Sequence, residues 1–275
     1  MKKMISIPFF FYHSVTPLDK GLDGISPEGF EMHMAFLKEH GYHTLFLDDI
    51  AAFIKGESDI PEKSVAISFD DGYLDNWLFA YPILKKYKMR ATIFVNTYWV
   101  EKEPNILRSD KELGERRLSW AELKAMECSG LVDVQSHMHT HSERTKYIAG
   151  KNALNDEERA WLKTELVRSK ELIAHRLGKS CDYVCWPWGL YNKTFITLAK
   201  ECGYRGAITS RRGANYFGSS VMEMKRYYIR PRWGGGMTWF SHRLKIYSNT
   251  ILARVYAFSV NALTAPLRKM FGMEF

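Results

Sequence analysis

The sequence predicts an α/β protein whose strands form a mostly parallel sheet, open or closed into a barrel. Short β-branched or aromatic runs alternate with helical patterns along the chain, and clusters of Asp and His follow directly after two of these runs. Alternating strands and helices form βα units, and such folds carry their functional sites at the carboxyl ends of the strands. The candidate strands lie at residues 5–11, 43–47, 65–69, 91–95, 131–135, 183–186, 206–209 and 226–229.

Helices between these strands are marked by their end signals. Ser26 is a good N-cap for a helix that stops at Gly41, and apolar residues recur along one face between them. Asn155 and Glu158 have the spacing of a capping box, and that second helix ends at Gly178. Residues 100–118 are charged and contain Pro and Gly, which predicts an inserted loop that could cover a site.

Length and composition favour one large globular domain. The chain has 275 residues, of which 46% are hydrophobic and 25% charged, and no apolar run is long enough to span a bilayer. Pro8 interrupts the apolar start, which favours a buried first strand over a secretory signal. The four cysteines lack C-x-x-C spacing, so we expect reduced thiols and a cytoplasmic location.

Positive charge is concentrated at the carboxyl end of the chain. The last 50 residues contain eight Lys and Arg residues and a single Glu, while the first 225 residues are close to neutral. Residues 244–265 carry Leu244, Tyr247, Ile251, Val255 and Phe258 at helical spacing. We therefore divide the chain into a domain at residues 1–242 and a basic amphipathic extension at residues 243–275.

Two alternatives exist for this extension. It could lie on an anionic membrane surface, which would place the protein on the inner face of the membrane, or it could pack against the main domain. Nucleic acid is not an expected partner, because the basic residues form no recognised motif and the rest of the chain has no broad basic surface.

The first candidate site follows the strand at 65–69. Asp70, Asp71 and Gly72 come directly after it. Neighbouring side chains on a strand point to opposite faces, so both carboxylates can reach one site only if the strand has ended, and Gly72 supplies the backbone freedom for that turn. The alternative is a plain turn or helix cap, because these residues are common turn formers.

The second candidate site follows the strand at 131–135. His137, His139 and His141 lie within five residues. In a helical turn His137 and His141 would share one side and His139 would point away. One Asp and these two His residues would leave open coordination positions for water and substrate, and the second Asp would be free to act as a base. The alternative is an exposed His run in a loop.

These motifs resemble those of the polysaccharide deacetylases, the NodB-like carbohydrate esterases of family four. Residues 68–72 (SFDDG) resemble the first motif and residues 136–141 (SHMHTH) the second. The resemblance covers about residues 4–242. It implies a distorted (β/α)7-type barrel as a single domain with a C-terminal helical extension. It also implies Asp70 as the catalytic base and Asp71, His137 and His141 as metal ligands.

Further residues follow from the same resemblance. Residues 186–191 (WPWGLY) resemble the third motif, a wall of the substrate groove, which makes Trp186, Pro187, Trp188 and Gly189 candidate substrate contacts. Arg226 resembles an arginine that orients the catalytic Asp. Trp186 stands where many relatives have an arginine.

The apolar-x-His motif that supplies the general acid in many relatives is missing from this sequence. His242 lies in the corresponding part of the chain, and His13 or His139 could replace it. His13 is in addition a candidate substrate contact.

The sequence therefore predicts a metal-dependent hydrolase that removes the N-acetyl group from an amino sugar. We expect zinc as the cofactor, although nickel, cobalt or iron would accept the same ligands. A lipid-linked sugar, such as a polyprenyl-phosphate N-acetylhexosamine, is the favoured substrate. Alternatives are a polymer such as peptidoglycan or a chitin-like chain, another C–N hydrolysis at the same site, and a non-catalytic carbohydrate- or lipid-binding homologue.

Overall fold

The computed structural model describes residues 5–18, 24–109, 116–229, 236–256 and 258–259. The strands are β1 (Ser6–Ile7), β2 (Phe9–Tyr12), β3 (Ser14–Val15), β4 (Gly24–Ile25), β5 (His43–Leu45), β6 (Ser64–Phe69), β7 (Ala91–Val95), β8 (Val132–Ser136), β9 (Tyr183–Cys185), β10 (Gly206–Ile208), β11 (Asn215–Tyr216) and β12 (Tyr227–Tyr228). The α-helices are α1 (Pro27–Glu39), α2 (Leu47–Lys55), α3 (Tyr81–Tyr87), α4 (Thr97–Val100), α5 (Trp120–Cys128), α6 (Arg144–Ala149), α7 (Asp156–Leu177), α8 (Lys193–Glu201) and α9 (Met237–Tyr247), and residues 250–256 are also helical.

Seven strands form a curled parallel sheet in the order β10, β9, β8, β7, β6, β2, β12. A parallel bridge joins Ile208 to Met224, and Tyr227–Tyr228 pairs with β2, so residues 224–228 connect the two edges of the sheet. Strand β5 pairs with the first half of β6. The predicted (β/α)7-type barrel is confirmed, and every candidate strand of the barrel is found.

The two faces of the sheet pack into separate cores. Phe9 and Phe94 point into the barrel, where they pack with the inner residues of β6, β9 and β10. Phe10 and Tyr12 point outward and pack under the helices. Because both faces of a parallel sheet are covered, strand β2 is apolar at every position rather than alternating.

The end signals of two helices were predicted correctly. The side chain of Ser26 accepts a hydrogen bond from the amide of Gly29 and caps α1. Asn155 and Glu158 form a reciprocal capping box at the start of α7, and Gly178 ends that helix in the left-handed conformation.

The predicted continuous helix over residues 244–265 is wrong in its described part. Helix α9 ends at Tyr247, and the side chain of Asn249 accepts hydrogen bonds from the amides of Ile251 and Leu252, which starts a new helix. The break splits the apolar stripe, because Leu244 and Tyr247 are buried while Ile251, Val255 and Phe258 are exposed. Residues 260–265 lie outside the described part of the chain.

The junction between α9 and the helix at residues 250–256 lies at the amino end of the barrel. Ile5 pairs with Asn249, and the hydroxyl of Ser6 donates to the carbonyl of Tyr247. At the other end of the same strand region, the amide of Asp70 donates to the carbonyl of Tyr12. The six residue steps from Ser6 to Tyr12, which run through β1, Pro8 and β2, correspond to roughly 20 Å of extended chain. The predicted domain boundary at residue 242 falls inside helix α9. The division of the chain into two parts stays a prediction.

None of the described helices combines the length and the apolar character needed to cross a lipid bilayer.

Candidate active site

The turn after β6 presents two carboxylates at the carboxyl end of the barrel. Strand β6 ends at Phe69, and the backbone then turns through the left-handed region at Asp71 (φ 68°) and Gly72 (φ 61°). A Cβ atom added at Gly72 would lie 2.9 Å from Cγ1 of Val95, so the turn needs both the conformation and the small size of glycine. The predicted end of the strand is thus where the two side chains gain access to one site.

Asp70 is held by a buried arginine. The guanidinium of Arg226 donates to Oδ1 and Oδ2 of Asp70 at 2.7 and 2.9 Å, and also to Ser68 Oγ at 3.0 Å. Burial alone would raise the pKa of Asp70. The positive charge of Arg226, the strongest of the opposing influences, brings the pKa of this carboxyl group below its ordinary value. Asp70 therefore stays ionised and fixed in direction.

Asp71 faces two imidazoles. Oδ1 of Asp71 lies 3.7 Å from Nε2 of His137 and 3.7 Å from Nε2 of His141. The three residues offer ligand atoms that all lie within 4.8 Å of one another. In a tetrahedral zinc site with bonds of about 2.1 Å, ligand atoms are about 3.4 Å apart, so this donor set fits a zinc-like cation.

The first of these imidazoles is oriented by a hydrogen bond on its other nitrogen. Nδ1 of His137 donates to the carbonyl of Cys185 at 2.8 Å, which directs Nε2 toward Asp71. The side-chain amide of Asn96 donates through Nδ2 to Oδ1 of Asp71 at 3.2 Å. Burial acts to raise the pKa of Asp71, but the positive groups around it, His137 first, lower it to about 2.

The segment that carries the three histidines is not a helical turn, although the predicted pairing of His137 with His141 assumed one. Residues 137–141 form an irregular loop, with positive φ at Met138 (63°) and His141 (52°). The rings of His137 and His141 still meet, with centroids 4.9 Å apart. The loop brings the two ligands together by its fold rather than by helical spacing.

A second group of potential ligands shares His137 and contains Asp70 and Cys185. Arg226 already donates to both oxygens of Asp70 and to Sγ of Cys185 at 2.9 Å. Burial also raises the pKa of the Cys185 thiol well above its ordinary value, so the thiol stays protonated. A cation at this group would have to replace the guanidinium, which leaves the Asp71 group as the better metal centre.

The three candidate general acids lie in different environments. His13 is near the site, because it directly follows Tyr12, whose carbonyl accepts a hydrogen bond from the amide of Asp70, and its buried Nδ1 has no hydrogen-bond partner among the described residues. His139 is buried against Thr97, and burial lowers its pKa to about 4, which keeps it neutral. His242 is exposed on α9, which packs against the outer face of the barrel through Phe240 and Phe10.

The predicted groove wall divides into a buried and an accessible part. Trp186 is fully buried and packs on Tyr191 and Phe195, so its ring offers no face to a sugar. Pro187 is also buried. The ring of Trp188 is half-buried and lies 4.1 Å from that of His141, and Gly189 follows it in the left-handed conformation. Of the two tryptophans, Trp188 borders His141, one of the candidate metal ligands.

A buried ion network fixes the described parts of the inserted loop. The side chain of Arg108 lies against Glu122 at 2.7 Å and against Glu103 at 2.6 Å. Nε1 of Trp77 donates to the carbonyl of Arg108 at 3.1 Å, which ties this loop to the segment that follows the two aspartates. Residues 110–115 of the loop lie outside the described part.

Two supporting residues were missed by the sequence analysis. Asn96 follows the buried strand β7 directly, which is the same signal that identified Asp70 and the His segment. Cys185 acts on His137 through its backbone carbonyl, and no residue pattern reveals such a contact.

The site combines an ionised carboxylate that has no ligand role with a neighbouring group able to hold a divalent cation, at the mouth of an α/β barrel. Comparison with known proteins identifies the family. The polysaccharide deacetylase family model matches residues 57–207, more than half of the chain, and the chain belongs to this family.

Two relatives show how far the similarity extends. The chain is 28% identical over 235 residues to YxkH of Bacillus subtilis, covering 85% of this chain and 75% of that protein. It is 31% identical over 183 residues to the poly-beta-1,6-N-acetyl-D-glucosamine N-deacetylase of Staphylococcus aureus, covering 66% of this chain and 59% of that protein. The chain thus spans less than two thirds of the second relative.

Solved structures share the fold. The Streptococcus pyogenes deacetylase PplD has a TM-score of 0.74 at 22% identity, covering 88% of this chain and 99% of that chain. IcaB from Ammonifex degensii has a TM-score of 0.73 at 23% identity, covering 86% of this chain and 98% of that chain. At these identities the similarity establishes the barrel alone.

Proposed function

We propose that this protein is a metal-dependent N-deacetylase that hydrolyses the acetamido group of an N-acetylhexosamine glycan. One observation carries the proposal: Asp70, clamped by Arg226, adjoins the group formed by Asp71, His137 and His141. Membership of the polysaccharide deacetylase family supports the same reaction class.

The residues of the site have two different proposed roles in amide hydrolysis, metal binding and proton transfer. Asp71, His137 and His141 would hold the cation, for which we propose zinc, with nickel, cobalt or iron as alternatives. When bound, that cation would polarise the acetyl carbonyl and make a water molecule more acidic. Asp70 is ionised and aligned by Arg226, so it can take the proton from the attacking water.

The leaving amine needs a proton, and three histidines are candidates for supplying it. His13 follows Tyr12, whose carbonyl accepts a hydrogen bond from the amide of Asp70, whereas His139 is held neutral by burial and His242 lies on the outer surface. We therefore propose His13 as the general acid in place of His242. The exposed part of Trp188, beside His141, would then border the bound sugar.

A polymeric glycan is the substrate that we now favour over a lipid-linked sugar. The named activity of the Staphylococcus aureus relative is deacetylation of poly-N-acetylglucosamine. The lipid-linked alternative would require the mouth of the barrel to approach a membrane. The apolar stripe available for membrane contact lies instead at the amino end of the barrel, beside Ser6.

Membrane association itself remains a separate proposal. Ile251, Leu252, Val255 and Phe258 are 46 to 76% exposed, and Arg254 is exposed on the same helix. An apolar stripe with neighbouring cations suits an anionic lipid surface. The four cysteines of the chain are free, which supports the proposed cytoplasmic location on the inner face of a membrane.

The decisive experiment measures acetate release from N-acetylglucosamine oligomers and from a polyprenyl-phosphate-linked sugar, with metal-defined wild type and Asp70→Asn. We expect release that requires metal and falls at least about 100-fold in the variant. Metal binding without release from either substrate would contradict the deacetylase and favour another amide substrate or a binding function.

A further inference from the structure

Glu165 of helix α7 lies buried beside the loop that carries His141. Its Oε2 accepts a hydrogen bond from the amide of Thr140 at 2.8 Å, and its Oε1 accepts one from Oγ1 of Thr140 at 2.9 Å. Glu165 is only 3% exposed, and these two hydrogen bonds from Thr140 give each oxygen of its buried carboxyl group a partner.

The loop needs such support because its backbone is strained. Met138 and His141 are both non-glycine residues with positive φ, a conformation that costs free energy and persists only when the surroundings enforce it. Thr140, which Glu165 binds through its backbone amide and its hydroxyl, lies between these two positions. One carboxyl group therefore fixes the centre of the strained segment.

The two histidine ligands depend on this support unequally. His137 follows strand β8 directly, its amide donates to the carbonyl of Val95, and its ring donates to the carbonyl of Cys185. His141 lies at the far end of the loop, next to Thr140. A change at Glu165 should consequently move His141 while His137 keeps its place.

We propose that Glu165 is a positioning residue that holds His141 in the metal-binding arrangement and so sets the affinity of the site for its cation. The inference rests on the proposed metal site. It concerns the affinity for the cation rather than the reaction, and it can be tested without a substrate.

The test titrates the metal-free full-length chain with Zn²⁺ against a chelator of known affinity. We expect Glu165→Ala to weaken zinc binding about 10- to 100-fold, the usual effect of removing a group that orients a metal ligand. Saturating zinc should restore much of the acetate release, because the base and its arginine are unchanged.

A double-mutant cycle separates positioning from a general loss of structure. In a His141→Ala background, Glu165→Ala should cause no further loss of zinc affinity, because the ligand that Glu165 positions is already absent. Equal losses in the two backgrounds, or wild-type affinity in Glu165→Ala, would overturn the proposal.

Glu158 gives a matched control, because it is a second buried glutamate on α7 and pairs with Lys151 instead. Glu158→Gln should leave zinc affinity unchanged. If Glu165→Ala does not fold, Glu165→Gln is measured in its place, and it too should bind zinc more weakly, since the NH₂ group of its side chain cannot accept a hydrogen bond and one of the two Thr140 contacts is weakened. Zinc binding by wild type without acetate release would contradict the proposed reaction and leave the positioning role intact, while no zinc binding by wild type would contradict both.

Discussion

Two adjacent aspartates have different environments, and this difference assigns their chemistry. Asp70 is bound by the guanidinium of Arg226, which cannot give up its proton and fixes both carboxylate oxygens. Asp71 instead faces the imidazoles of His137 and His141. This difference supports the proposed roles, with Asp70 as the aligned base and Asp71 as a metal ligand.

Arg226→Lys should lower kcat about 10- to 100-fold, because an ammonium cannot hold both oxygens of Asp70 and the base loses its alignment. Steady-state acetate release measures the effect, and zinc affinity should stay near that of wild type. In an Asp70→Asn background the same substitution should have little further effect. Additive losses would show that Arg226 acts elsewhere.

His139 should make the stability of the metal-free chain depend on pH. Burial first, and then the charge of Arg168, lower its pKa from 6.5 to about 4, so the unfolded chain binds a proton more readily than the folded one. Stability is then fully present above pH 6.5 and falls as the pH drops toward 4, by at most about 3 kcal/mol. Urea unfolding between pH 4 and 7 should give a flatter profile for His139→Gln than for wild type, and coincident profiles would contradict this.

At the scale of elements, an ion network joins the segment after α4 to the start of α5. Glu122 closes the capping box of α5 with Ser119, and the same carboxylate binds the buried side chain of Arg108. Both partners are fully buried as side chains. The network thus couples a helix start to the loop beside the site.

Glu122→Ala should destabilise the protein by about 1 to 3 kcal/mol, because the buried guanidinium of Arg108 would lose its bonds to Glu122 and keep only Glu103 as a carboxylate partner. Thermal or denaturant unfolding measures the change. Glu157→Ala is the control, since its ion pair with Arg144 is at the surface and should contribute less than about 1 kcal/mol. Similar values for the two variants would show that burial of the network is not what makes it stabilising.

At the scale of the whole molecule, the candidate active site and the exposed apolar stripe lie at opposite ends of the barrel. The site follows Tyr12, whereas the helix that carries the stripe begins after Asn249, which pairs with Ile5, roughly 20 Å of extended chain away from Tyr12. A chain that contacts lipid through residues 251–258 would direct its mouth away from that surface. This orientation suits a glycan chain reached from the aqueous side.

Co-sedimentation with vesicles tests the stripe. Wild type should bind anionic vesicles more strongly than neutral ones, and a variant with Ile251→Ser, Val255→Ser and Phe258→Ser should lose most of this binding. Tyr147→Ser, which alters another exposed side chain, should bind as wild type does. These substitutions leave α9 intact, whereas a truncation at residue 243 would remove the buried Leu244 and Tyr247. Undiminished binding by the triple variant would rule out the stripe as the contact.

Local patterns in the chain were enough to predict the barrel strands, the two capped helices, and the Asp and His segments that follow two of the strands. These features depend on neighbouring residues: a buried strand followed by polar groups, or a cap spaced three residues from its partner, is visible in the chain. The pairing of His137 with His141 was also anticipated, although the assumed helical turn was not found.

Contacts between residues far apart in the chain depend on the complete fold. Arg226 reaches Asp70, Cys185 orients His137, and His13 rather than His242 lies near Asp70, because strands distant in the chain adjoin in the barrel. Trp186 and Trp188 are the same residue type two positions apart. Only their burial in the folded chain distinguishes the packed ring of Trp186 from the partly accessible ring of Trp188. Local pattern fixes elements and motifs, whereas the free energy of packing depends on contacts that no local pattern contains.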